Sequence, residues 1–223
     1  MLKTMPITAL AVAVIFLMSG CERSATQSVP SPAPQVPTAY KGTIVAVGDS
    51  LTAGYGLNDA DAYPAQLEKK LQSTGYNWQV INAGISGETS SGTLSRVNWV
   101  LKLKPDIVIL ETGANDGLRG IDPQVTKKNI AETVRLLKEN KVRVILAGMR
   151  MVTSMGKEFT SQFAAIYPAL AKQHDLILIP FFLQGVAGDP ALNQSDGIHP
   201  LGEGYRIITD MIYPYVLQAG VVK

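Results

Sequence analysis

The stretch Ile44-Val45-Ala46-Val47-Gly48-Asp49-Ser50-Leu51-Thr52-Ala53-Gly54 decides the fold. Its first four residues are apolar at every position, as a strand covered on both faces requires, and Gly48-Asp49 ends the run in a tight turn. A helix start follows at once, so Ser50 stands where the carboxyl end of a strand feeds a helix N-terminus. Ligands of open α/β sheets bind at such junctions, because strand ends and helix N-termini turn unpaired N–H groups toward a crevice. Ser50 is therefore either a nucleophile or an N-cap, a role that serine often fills. Residues elsewhere in the chain have to decide between the two.

Further strand-like apolar runs recur at Gln79–Asn82, Asp106–Glu111, Val142–Ala147 and Leu176–Ile179, and the first run extends over Thr43–Val47. Between them lie segments with helical spacing, such as Tyr63, Leu67 and Leu71, or Val134 and Leu137 backed by Lys and Glu. Strands that are apolar at nearly every position, alternating with amphipathic helices, predict a three-layer α/β/α sandwich. A last helix from near Leu201 carries Tyr205, Ile208 and Ile212 on one face, which reads as core packing rather than a membrane span.

Outside this alternation the N-terminal residues read differently. Lys3, the apolar run Ile7–Met18 and the small residues Ser19-Gly20 form an export signal over residues 1–20, with an apolar run too short to span a membrane. Leu17-Met18-Ser19-Gly20-Cys21 resembles a bacterial lipobox, which implies lipidation of Cys21. The alternative is an ordinary signal peptide with a cysteine near its cleavage site. Cys21 is the only cysteine, so the chain forms no internal disulfide. Residues 21–40, with Pro30, Pro32, Pro34 and Pro37, have no apolar periodicity and form an extended tether. The expectation is an exported, lipid-anchored protein of a bacterial cell envelope, facing the periplasm, with Glu22 leaning toward the outer membrane. Residues 41–223 suffice for one domain, expected as a monomer. A net charge of +2 without a basic stripe argues against nucleic acid as a partner.

The loops at the strand ends carry the chemistry. They read Ala83-Gly84-Ile85-Ser86-Gly87-Glu88-Thr89, Thr112-Gly113-Ala114-Asn115-Asp116 and Asp196-Gly197-Ile198-His199-Pro200. Acyl transfer by serine needs a base, a carboxylate that orients it, and donors aimed at the developing oxyanion. Of the two histidines, His199 lies in a rim loop, while His174 falls near a helix end where a cation suits the dipole. Asp196, three residues before His199 across a glycine turn, can accept from Nδ1–H while Nε2 faces Ser50. The backbone N–H groups of Ser50 and Gly84 and the side-chain amide of Asn115 are candidate oxyanion donors. Each has a plain structural alternative: a turn at Gly84, and an Asx-turn or cap at Asn115.

In order along the chain, Gly48-Asp49-Ser50-Leu51, the Gly84 segment, Gly113-Ala114-Asn115-Asp116 and Asp196-Gly197-Ile198-His199-Pro200 resemble the four blocks of the GDSL, or SGNH, hydrolases. The resemblance spans about residues 42–216. It implies Ser50 as nucleophile, Asp196 and His199 as the rest of a triad, and Ser50, Gly84 and Asn115 as the oxyanion hole. It also implies a flavodoxin-like sheet of five parallel strands. Glu88 stands where many relatives have Asp. Pro180–Gly188 with Leu192-Asn193-Gln194 resembles the bacterial arylesterase, acyl-CoA thioesterase and lysophospholipase branch. The expected reaction is hydrolysis of an ester or thioester through an acyl-enzyme on Ser50, with no metal or organic cofactor; no zincin motif, P-loop, G-x-G-x-x-G or G-x-S-x-G is present.

Met149, Met151, Met155 and Phe159, after the fourth strand, either line an adaptable acyl or aryl pocket or merely pack the loop. Glycines of the rim loops, among them Gly54, Gly56, Gly87 and Gly156, would let those loops move around a substrate. Two other functions stay open on the sequence: a carbohydrate O-acetylesterase of the same fold, and a non-catalytic envelope lipoprotein that binds a ligand on this rim.

Overall fold

A computed structural model describes residues 39–223. The expectations for residues 1–20, for Cys21 and for most of the tether lie outside the described residues. Five strands, β1 (Thr43–Gly48), β2 (Gln79–Gly84), β3 (Ile107–Glu111), β4 (Arg143–Ala147) and β5 (Ile177–Ile179), form one parallel sheet in the order β2-β1-β3-β4-β5. This is the flavodoxin-like order, whose connections leave β1 in opposite directions and open a crevice between the tips of β1 and β3. The strand runs expected from the sequence all appear, with bounds shifted by one or two residues.

The helices are α1 (Ser50–Ala53), α2 (Tyr63–Ser73), α3 (Ser90–Ser95), α4 (Val97–Lys102), α5 (Ala114–Leu118), α6 (Pro123–Glu139), α7 (Lys157–His174) and α8 (Gly202–Gln218). α2 and α8 pack together as one layer, and α3, α4, α6 and α7 as the other. Tyr63, Leu67 and Leu71 of α2, Val134 and Leu137 of α6, and Tyr205, Ile208 and Ile212 of α8 bury the faces read from their spacing. Each large apolar side chain buried in this way contributes roughly 1.5–3 kcal/mol. α6 starts as its sequence dictates, with Pro123 in its first turn and Asp122 accepting from the Gln124 N–H at 2.8 Å.

β1, β3 and β4 are buried along almost their whole length, whereas β2 alternates between buried and open positions and β5 is only three residues long. Edge strands have a neighbour on one side only, so continuous burial does not extend to them. The open edge of β2 is blunted by Glu68 of α2, whose carboxylate accepts from the Val80 N–H at 2.6 Å.

Candidate active site

Asp49, not Ser50, caps α1: its Oδ1 accepts from the Leu51 N–H at 3.0 Å. The cap leaves Ser50 as the first helical residue, with its hydroxyl free for other work. Its Oγ lies 2.9 Å from His199 Nε2, and His199 Nδ1 lies 2.6 Å from Asp196 Oδ2. Two segments 149 residues apart are thus joined by an unbroken hydrogen-bonded path.

The turn that holds His199 is built by its own residues. Asp196 Oδ1 accepts from the N–H groups of Ile198 at 2.8 Å and His199 at 3.0 Å, which folds the four residues into a tight loop. These backbone donors and the imidazole hold the Asp196 carboxyl down to about 2. Gln194 ties the loop to the nucleophile segment by donating to the Tyr55 carbonyl at 2.7 Å, while its N–H meets the His199 carbonyl at 2.7 Å. The ring of Tyr55 stands 4.8 Å from the imidazole and is itself exposed, forming a wall of the crevice. His174 ends α7, as its spacing implied, just before β5 begins and so at the opposite end of the sheet from this constellation.

Asn115, in the first turn of α5, donates to Asp49 Oδ2 at 3.0 Å and keeps a second amide hydrogen. The helix is anchored below by Asp116, buried, which accepts from the Ser90 N–H at 2.7 Å and from the hydroxyls of Ser90 and Thr126. The Ser50 N–H has no hydrogen-bond partner among the described residues.

Gly84 corrects an expectation. Its N–H donates to Asn82 Oδ1 at 3.0 Å, so it is already engaged. Its lack of a Cβ serves packing instead, since a Cβ there would lie 2.2 Å from the Ala53 nitrogen of α1. Gly84 also borders a cavity of about 490 Å³ that α2 and β2 line with Glu68, Lys69, Gln72, Val80 and Asn82.

Gly87 has the free donor that Gly84 lacks. It occupies the third position of a turn closed by the Glu88 N–H on the Ile85 carbonyl at 3.0 Å, with φ of +79°, and its own N–H has no partner among the described residues. Its carbonyl accepts from Arg119 at 2.8 Å, just past α5. The loop leaves β2 and reaches the helix that follows β3, so it spans the tip of β1, where Ser50 sits. Arg96 and Glu88 hold this loop from beneath. The guanidinium grips both oxygens of Glu88 at 2.7 and 2.6 Å and donates to the Ala83 carbonyl at 2.8 Å, with both side chains nearly buried. The glutamate in place of the family's aspartate keeps a two-pronged pair with Arg96.

Of the two readings open for the residues after β4, packing describes most of them. Met149 is buried in the core, Phe159 packs on the core beside Phe163, and the Met151 sulfur fills the space above Gly117. These three chiefly fasten the loop to the sheet and to α5, and Met155 is half-buried on the rim. Exposed apolar residues instead are Tyr55, Ile85, Val152 and Ile198 in the loops and Leu118 at the end of α5. Only strand ends mark these positions in the sequence, since the residues themselves are ordinary.

Residues 46–207 match the GDSL-like Lipase/Acylhydrolase family. Esterase TesA of Pseudomonas aeruginosa is 37% identical over 173 residues, covering 77% of this chain and 86% of that protein. Thioesterase 1/protease 1/lysophospholipase L1 of Escherichia coli K12 is 40% identical over 169 residues, covering 75% and 80%. The crystal structure of TesA superposes with a TM-score of 0.77 at 36% identity, covering 79% of this chain and 99% of that one. With the sheet order, the four motif blocks and these likenesses together, the chain belongs to the GDSL-like lipase/acylhydrolase family.

Proposed function

We propose that this protein is a serine hydrolase that cleaves carboxylic esters and acyl thioesters through an acyl-enzyme on Ser50. The observation that carries the reading is the path from Ser50 Oγ through the His199 imidazole to Asp196 at 2.9 and 2.6 Å. His199 Nε2 takes the hydroxyl proton as Ser50 Oγ bonds to the substrate carbonyl carbon, and the carbonyl π electrons move onto oxygen. Asp196 remains ionised and stabilises the imidazolium without accepting its proton. The oxyanion is met by the Ser50 N–H, the Gly87 N–H and the second amide hydrogen of Asn115. Collapse breaks the bond to the alcohol or thiol, which leaves with the proton from His199. Water then attacks the acyl-enzyme by the same relay and releases the acid and Ser50.

The relatives are named for esterase, thioesterase and lysophospholipase activities, and the apolar rim residues offer contacts for an acyl or aryl group. Those apolar contacts suit an acyl or aryl group better than the polar ring of an O-acetylated carbohydrate. The test is hydrolysis of p-nitrophenyl esters from acetyl to palmitoyl, and of acyl-CoA thioesters, by protein lacking residues 1–21 and by its Ser50→Ala variant. Ser50-dependent turnover that rises from acetyl to medium or long chains supports the reading. An acetyl-only optimum turns it to the carbohydrate esterase, and folded protein without Ser50-dependent turnover leaves a binding lipoprotein.

The lipobox-like Leu17–Cys21 segment and the proline-rich tether support a lipid anchor that leaves the domain facing the periplasm. Metabolic labelling with palmitate, mapped to Cys21, tests the anchor.

A further inference from the structure

Behind Ser50 the structure holds a second carboxylate that the hydrolytic cycle does not touch. Glu111, the last residue of β3, is fully buried in a run otherwise composed of Ile107, Val108, Ile109 and Leu110. Its Oε2 accepts from the Asp49 N–H at 3.2 Å and from Thr52 Oγ1 at 2.9 Å, while Oε1 is buried with no partner among the described residues. Gly48 makes room for it, because a Cβ there would lie 2.4 Å from Oε2. An ionisable side chain in the most buried part of a sheet costs stability unless its polar atoms are paired, and among the described residues Oε1 is not.

What it touches is the turn that presents the nucleophile. Asp49 N–H and Thr52 Oγ1 flank Ser50 on both sides in sequence, and both end on the same Glu111 oxygen. Asp49 in turn caps α1 through Leu51 and accepts from Asn115. We propose that Glu111 is a positioning residue for the hydrolysis: through Asp49 and Thr52 it holds the Ser50 turn, and through Asp49 it sets the orientation of Asn115. The proposal rests on the serine-hydrolase reading.

The same geometry assigns its protonation. Asp49 and Glu111 are both buried and the Asp49 N–H lies on Glu111 Oε2 at 3.2 Å, so their carboxylates are neighbours out of water, where two such groups do not both ionise. Around the pair stand Thr52 of α1 and the phenols of Tyr63 of α2, Tyr167 of α7 and Tyr205 of α8, with His199 acting on Asp49 from the rim. Burial and then the Asp49 charge raise Glu111 well above the carboxylate range, and burial raises the phenols, which stay neutral. Burial also raises Asp49, against the opposing pull of Leu51 and Asn115. Each oxygen of Asp49 accepts a hydrogen bond, from the Leu51 N–H and from Asn115, whereas Glu111 Oε1 receives none among the described residues, so the proton sits on Glu111 and Asp49 carries the charge. A glutamine would reproduce the uncharged group, with its oxygen accepting from the Asp49 N–H and from Thr52 Oγ1.

The experiment compares wild type with Glu111→Gln, Glu111→Leu and Ser50→Ala. Infrared spectroscopy at neutral pH should show the carbonyl band of a protonated carboxylic acid in wild type and in Ser50→Ala, and no such band in Glu111→Gln. Glu111→Gln should keep kcat within about threefold, while Glu111→Leu should lose at least about tenfold in kcat with KM moved less than about twofold. A missing band, a Glu111→Gln variant that falls as far as Glu111→Leu, or a Glu111→Leu variant with full kcat overturns the proposal. If Glu111→Leu does not fold, the band and the Glu111→Gln kinetics decide alone. Turnover that survives in Ser50→Ala would instead retire the serine-hydrolase reading, while the infrared band would still test the protonated Glu111.

Discussion

Asp196→Asn isolates one quantity, the charge behind the imidazole. The amide oxygen can still accept from the Ile198 and His199 N–H groups that now bond Oδ1 at 2.8 and 3.0 Å, so the turn should keep its shape. What disappears is the negative partner of Nδ1–H at 2.6 Å. With charge centres about 4 Å apart, the attraction that stabilises an imidazolium is about 4 kcal/mol at an effective dielectric of 20 and about 1 kcal/mol in bulk water. The Asp196 side chain is 39% exposed, which places the site between these limits and screens the pair. The expected loss in kcat is therefore about tenfold to a thousandfold, at roughly 1.36 kcal/mol per decade, with KM changed little. Steady-state hydrolysis of a p-nitrophenyl ester measures it, with circular dichroism melting to check the fold. A kcat within threefold of wild type would refute the argument that Asp196 supplies the charge. The sign of the pH dependence follows as well. A carboxyl held down to about 2 stays ionised in neutral and mildly acidic solution, so its favourable term is present above the ordinary value near 4. That term fades only as pH falls from about 4 toward 2, and protonation of Asp196 should leave the activity profile unaffected above about pH 3.

Three further outcomes are expected. Asn115→Ala should cost about 10²–10³ in kcat through the lost oxyanion donor, and about 1 kcal/mol of stability through the lost bond to Asp49, separable by kinetics and urea denaturation. Gly87→Ala brings its Cβ into ordinary contact with Arg119 Nη2 at 3.7 Å but must hold φ at +79°, so a strain of about 1–2 kcal/mol should appear together with a fall in kcat; Gly84→Ala drives its Cβ into the α1 backbone and should chiefly lower the melting temperature. Equal kinetic effects at the two glycines would argue against Gly87 as the donor. Arg96→Met leaves Glu88 nearly buried without its partner and should destabilise by about 3–5 kcal/mol, and a denaturation midpoint close to that of wild type would contradict the buried pairing.

The features that could be read from the chain were those that residues near one another in sequence decide. Apolar runs such as Ile44–Val47 and Ile107–Leu110 specify strands covered on both faces, and the i, i+4, i+8 spacing of Tyr63, Leu67 and Leu71 specifies a helix face. Asp196 and His199 were legible for the same reason. Their contact closes within four residues, so it depends on a local turn more than on the rest of the molecule.

Other features were settled only where distant segments meet. Which N–H of the loop after β2 is free depends on the Asn82 side chain and on a turn that swings Gly87 over β1, and both Gly84 and Gly87 satisfy the sequence pattern equally. A methionine on a rim loop can point inward or outward without changing its neighbours in sequence, so the packing of Met149 and Met151 followed from the sheet and α5 beneath them. Glu111 reads in one dimension as the polar end of a strand. It becomes the buried partner of Asp49 because the parallel register of β1 and β3 brings their carboxyl ends side by side. Local pattern determined the elements and the Asp196–His199 turn, and the pairing of strands far apart in the chain decided which polar groups are free, which are held, and which are buried side by side.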